Sequence, residues 1–458
     1  MDTRILRNAA LAAGLVCALN APASGDVECA ASTGMMEPQY FATLPFRETP
    51  FAPQRGIHPM TAEMAANRNH YRFDYDGCGR VTWIRFRLGE TVRDLNDTAN
   101  YYHHAPQVEV QYRDGQEIRR FFDRHGNGIR SDGDVFTEVY TLDEHGYPER
   151  LDFFDEDGQP AANSWGVVRY EWLRREDGVV VETRHAADGS LLPLRPGLPF
   201  YTVHFHYGAD GWLAVMRNVD AEGNPVVNEL NAAQDRLEYT AAGDLLSWNV
   251  LDAEGRPAEG NGPAVAHGII ERDAYGYESV ERYADALGAA MHSAYGFGYT
   301  RASYDRFGNR IERANYTLDG AHLQARADGY AGYRMEFDPT GLMRTSLELF
   351  DETGAPVARA DQGWARTEFD HDADGNVIEI RYLDTDGAVI ARHDTGYARV
   401  LQTYDGRGRR IAREYVDAAG NPVEDRQTGV ARIAYTYGEF GFADAVQRFD
   451  LNGEVLAP

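Results

Sequence analysis

Cysteine is scarce in this chain, with three in 458 residues, at positions 17, 29 and 78. That is too few for a cysteine-based metal centre, which draws three or four ligands from Cys and His. No G-x-S-x-G elbow, phosphate-binding Gly loop, dinucleotide fingerprint or H-E-x-x-H is present, so the common catalytic signatures are missing. Beyond the amino terminus no apolar run approaches the roughly 20 residues a membrane-spanning helix needs. Positive charge is also in short supply. Lys and Arg number 45 against 72 Asp and Glu, a formal charge of −27 that repels phosphate backbones and anionic lipid. Nucleic acid is therefore excluded as a partner. Long Leu/Ala/Glu/Lys stretches are missing too, whereas Gly occurs 46 times and 43% of residues are hydrophobic. The apolar share is enough for a folded chain, and the balance favours turns and strands.

The amino terminus reads as a secretory signal over residues 1–23. Arg4 and Arg7 form a basic start, Ala9 to Leu19 is an apolar run of 11 residues, and Ala21-Pro22-Ala23 supplies small residues for cleavage. An exported protein, periplasmic or extracellular, is expected. Its removal leaves Cys29 and Cys78, an even pair that reads as a disulfide in an oxidising compartment. The bridge would close a loop of about 50 residues, worth on the order of 4 kcal/mol in the chain-entropy model. Residues 24–100 are expected to be irregular, stapled by this bridge, with one short helix near Thr61–Asn69.

From residue 101 to the end the glycines fall into two interleaved series. One comprises Gly211, Gly243, Gly276, Gly308, Gly341, Gly375, Gly408 and Gly441; the other follows about twelve residues later, from Gly223 and Gly255 to Gly420 and Gly453. Both advance by 32 to 34 residues, the signature of a repeat architecture. About eleven units fit between 101 and 458, preceded by a worn copy at Asp76-Gly77-Cys78-Gly79.

The unit 397–430 shows the grammar. Tyr397–Tyr404 and Arg409–Val416 alternate as strands, separated by the turn Asp405-Gly406-Arg407-Gly408, and Asp417-Ala418-Ala419-Gly420 turns again. Asp can accept from its own backbone two residues on, and Gly tolerates the positive φ that ends a type I turn followed by a bulge. Pro160, Pro225, Pro257, Pro356 and Pro422 recur after the second turn, where a residue that cannot donate to a ladder must lie at a strand edge or in a connection. A helical repeat of the same length would need two stripes of 3.6-residue period per unit. Two turns twelve residues apart leave no room for them. The expected fold is all-β, with tandem hairpins of about 33 residues forming a solenoid or a long coiled antiparallel sheet.

Three turns carry a resemblance to a known family: Tyr304-Asp305-Arg306-Phe307-Gly308-Asn309-Arg310, Phe337-Asp338-Pro339-Thr340-Gly341 and Tyr404-Asp405-Gly406-Arg407-Gly408-Arg409. They resemble the YD-repeat, or RHS-like, bacterial secreted proteins. The resemblance implies hairpins that coil into long sheets and shells, with a shell or delivery role among the possible functions. A second likeness, to cell-wall- and glucan-binding repeats, rests on Phe153-Phe154-Asp155-Glu156-Asp157-Gly158.

Four groups are candidates for chemistry. Asp370, Asp372 and Asp374 alternate before Gly375 as in a calcium loop, although position twelve is Arg381 and the stretch coincides with an ordinary turn of the repeat. His204 and His206, two apart on a strand, share a face, and His103-His104 lie upstream; no further ligands at suggestive spacing make a zinc set. Tyr330, Trp364 and Tyr397 open successive units and could stack sugar rings, or could form the internal seam between repeats. Carboxylate pairs are too frequent in so acidic a chain to single out an acid–base couple. The expected function is a non-enzymatic scaffold or binding module for a protein or envelope component, with polysaccharide binding as the alternative.

Overall fold

A computed structural model describes residues 36–457, apart from 47–48, 53, 96–104, 132, 195–199 and 327. The signal segment, Cys29, His103 and His104 lie outside the described residues. Among those described there are 29 strands and one four-residue helix, Ala62–Ala65, capped by the Thr61 hydroxyl. All strand pairings are antiparallel and join into one open sheet. Of the two expected forms, the antiparallel sheet is the one adopted.

The local turn chemistry explains the repeat. At Asp305 the backbone N–H donates to Asn309 O and the carbonyl accepts from Gly308 N–H. The Oδ1 atom accepts from the N–H groups of Phe307 (2.8 Å) and Asn309 (2.9 Å), and Gly308 takes φ +84°. The ladder slips by one residue just before the turn, between Ser303 and Tyr304, and does so again between Thr403 and Tyr404. One carboxylate thus satisfies two amides that a tight turn would otherwise leave unpaired, and the bulge adds the twist that bends the sheet.

Each hairpin pairs over about six positions, as in Arg399–Tyr404 against Arg410–Val416. Neighbouring hairpins pair over three, as in Ala412 with Ala434, Arg413 with Ile433 and Glu414 with Arg432. The prolines behave as their chemistry requires. Pro160, Pro225, Pro257, Pro356 and Pro422 each make a lone bridge to the residue ending the preceding strand, where no donor is needed. A third turn, closed at Gly396 or Gly429, completes each unit, and one backbone bond links successive third turns, as from Arg426 N–H to Thr395 O.

The amino-terminal region differs from expectation. Residues 36–95 are not irregular but form five strands, and Asn69–Tyr75 and Val81–Leu88 make a full hairpin around the worn turn at Asp76. Alternating apolar positions such as Tyr71, Phe73, Ile84 and Phe86 supply a core of their own. A second core lies over the Thr137–Tyr207 strands, where Phe51 packs on Trp172 and Tyr207.

The sheet also curls onto itself. The amino-terminal quarter runs along the first turns of the later units and touches every one. Arg55 donates to Gly211 O, His58 meets Asp244 Oδ1 at 2.7 Å and packs on Gly276, and Asn69 N–H donates to Phe307 O. Arg93 donates to Gly341 O, Arg124 to Asp374 O, Asn127 to Arg407 O, and Gly441 N–H to Gly128 O. The side-chain partners in this row stand 156 to 280 residues apart in sequence.

Candidate functional site

Where this seam passes the turns of residues 338–343 and 372–376 it leaves a cavity of about 450 Å³. One wall is the Thr91–Leu95 segment; the other is built from strand ends and turns of three successive repeats. Leu95, Met335, Phe337 and Phe369 make its apolar surface, and four arginines, Arg93, Arg124, Arg310 and Arg344, line it together with Asp94 and Asp374.

The arginines are held differently. Arg93 is buried and spends its donors on four neutral oxygens, Asn69 Oδ1, Asn309 Oδ1, Gly341 O and Leu342 O. Burial draws its pKa down to about 10 despite the opposing pull of Asp94, Asp305 and Asp338. Arg124 pairs with Asp94 at 3.2 Å and bonds Asn376 and the Asp374 carbonyl. Arg344 lies 4.7 Å from the Phe369 ring centre and 3.8 Å from Met335 Sδ. Burial pushes the Asp94 carboxyl up and the His371 imidazole down, so each disfavours its charged form.

Of Asp370, Asp372 and Asp374 only Asp374 lines this cavity, and the three do not converge. Asp372 is the turn residue: it accepts from the N–H groups of Asp374 and Asn376 and from Asn376 Nδ2. Asp370 is paired with Arg381, the residue at the twelfth position. Among the described residues no group of three or more His, Cys, Asp or Glu is placed to hold a metal ion. His204 and His206 lie on Thr202–Tyr207, where burial lowers the pKa of each imidazole. Cys78 occupies the turn after Asn69–Tyr75.

The unit-opening aromatics are turned inward. Tyr397 is 5% exposed and stacks on Tyr415 at 4.5 Å and 17°, with Tyr382 and then half-buried Trp364 continuing the row at about 6 Å spacing. Tyr330 is half-buried beside Arg326. Tyr397 thus presents no open face to a sugar, because neighbouring units bury it against one another. The arginine-lined cavity escaped sequence reasoning, since its walls lie some 250 residues apart along the chain.

The molecule so defined is an all-β hairpin-repeat protein with one open, self-contacting sheet. No protein-family model matches the chain, and no curated protein matches it. Solved structures with similarity include the TcdB2-TccC3 complex with Cdc42, at 12% identity and TM-score 0.30, covering 85% of this chain and 19% of that one. The Photorhabdus luminescens Tc holotoxin pore gives 13% identity and TM-score 0.30, with the same coverage. A porin-like protein from Bacteroides uniformis gives 11% and 0.21, covering 61% of this chain and 87% of that one. The chain spans about a fifth of the length of the toxin chains it matches.

Proposed function

We propose that this is an exported, non-enzymatic repeat scaffold that binds a protein partner by accepting an extended strand at its sheet edge. The observation that carries the reading is an exposed stretch of the Ala445–Phe449 strand. In each preceding unit the middle of the second strand pairs with the first strand of the next, at Arg413, Ile380 and Leu347 for example. The corresponding residues of the Ala445–Phe449 strand are Ala445, Val446 and Gln447. They are exposed, and their outer edge carries no strand among the described residues; Val455–Leu456 covers Arg448 and Phe449 alone. An exposed edge that offers the Val446 N–H and an apolar side chain is a template for strand addition.

The partner is accordingly a protein segment able to run extended beside Val446, as Ile433 runs beside Arg413. Export rests on the signal-like residues 1–23, and a Cys29–Cys78 bridge belongs to the same compartment. The YD-like turns agree with a secreted role.

Proline at position 446 tests the reading. Tyr415 N–H points to the next unit, so by antiparallel alternation the N–H groups of Arg413 and its counterpart Val446 point outward too. Val446→Pro removes that donor while sparing the inner ladder. Immobilised wild-type protein is expected to retain an envelope protein that the equally stable V446P variant releases. Equal retention by both, or none by the wild type, overturns the proposal.

A further inference from the structure

We propose that the seam cavity is a binding site for a small amphiphilic anion, a carboxylate carried on an apolar body. It goes beyond strand binding and does not depend on it. In a protein of formal charge −27, four arginines and two aspartates line a single cleft, an inversion of the overall sign. The inversion is incompletely neutralised from within. Arg124 has its carboxylate in Asp94, whereas Arg93 contacts neutral oxygens and Arg344 lies against a ring and a thioether. Neither Arg93 nor Arg344 is ion-paired to a carboxylate among the described residues.

The volume and lining suit the same ligand. A cavity of about 450 Å³ falls in the range of small-molecule sites, which combine apolar walls with a few convergent polar groups. Phe369, Phe337, Met335 and Leu95 offer the apolar wall, and the thioether can follow a flexible chain. Arg344 stands where wall and charge meet: its guanidinium lies over the Phe369 ring and 3.8 Å from Met335 Sδ, and it can form a fork to a carboxylate. A cation would meet the arginines, and a neutral amphiphile would leave their charge unanswered. Anionic and apolar together is the chemistry that fits.

Calorimetric titration of the full chain with decanoate, and in parallel with decanol, tests this. Decanoate is expected to bind at one site and decanol at least tenfold more weakly. Arg344→Gln is expected to weaken decanoate about tenfold, the loss of one charge-assisted contact, while Arg344→Lys, which keeps the charge and loses the fork, is expected to fall between Gln and wild type. Thermal melting confirms that both variants are folded. Equal binding of decanol and decanoate overturns the proposal, as does undiminished binding to R344Q, which would place the ligand on another apolar surface. No decanoate binding to the wild type also overturns it.

Discussion

At the scale of the residue, Asp and Gly do the repeating work, and each position has a cost that can be measured. Gly387 takes φ +83° with open space around it, whereas at Gly308 a Cβ would lie 2.3 Å from Tyr277 Oη. Gly387→Ala is expected to cost about 1 kcal/mol for left-handed backbone alone, and Gly308→Ala clearly more, in urea unfolding. The turn carboxylates set the response to acid. For Asp338, Asp372 and Asp405 burial pushes the pKa up, but hydrogen bonds from Thr340 and Met343, from Asn376, and from Arg409 outweigh it and hold each below the ordinary 3.8. A folded pKa below the unfolded one means that the unfolded chain binds more protons. The stabilisation is complete above the unfolded value and is lost as pH falls through the folded values. The melting temperature should therefore fall below about pH 4, and a triple Asp→Asn variant at these positions should flatten that fall.

At the scale of the element, the strands follow from alternation and the seam from aromatic size. Tyr397, Tyr382 and Tyr415 are nearly buried, and the Tyr397 ring contacts each of the other two. Tyr397→Ala is expected to cost about 3 kcal/mol, typical of emptying a buried aromatic position, whereas the half-exposed Tyr295→Ala should cost under about 0.5 kcal/mol. If the two were equal by urea unfolding, the row would not be a seam. Hairpin turns, strand spans and the place of the five prolines were legible because they depend on neighbours within about twelve residues. The strands of residues 36–95 were not. Their turns are worn, and Asn69–Tyr75 carries polar and apolar residues in a pattern that gains meaning from its pairing with Val81–Leu88.

At the scale of the whole molecule, the controlling feature is the contact between the amino-terminal quarter and the row of first turns. Arg93 is its most committed residue. Replacing it with Met leaves Asn69 Oδ1 and the Leu342 carbonyl without a donor and takes one of two donors from Asn309 Oδ1 and the Gly341 carbonyl, at a cost of about 3 kcal/mol. Hydrogen exchange should then quicken in the turns of residues 305–309 and 338–343. The second turn at Asp384–Gly387, far along its unit from the seam, should keep its protection. Uniform quickening would mean global destabilisation instead of an opened seam.

The sequence by itself determined the unit: its length, its turns, its strands and the all-β class, because turn geometry and pleat alternation are short-range physics. It also placed Asp370, Asp372 and Asp374 on an ordinary turn, where Asp372 indeed serves its own backbone. Tertiary structure decided the curl of the sheet, which brings Arg93 and Arg124 against turns some 250 residues away, and with it the cavity and its inverted charge. No local rule contains that information. Bulge after bulge adds a small twist, and the sum over many hairpins fixes which distant turn each amino-terminal residue meets.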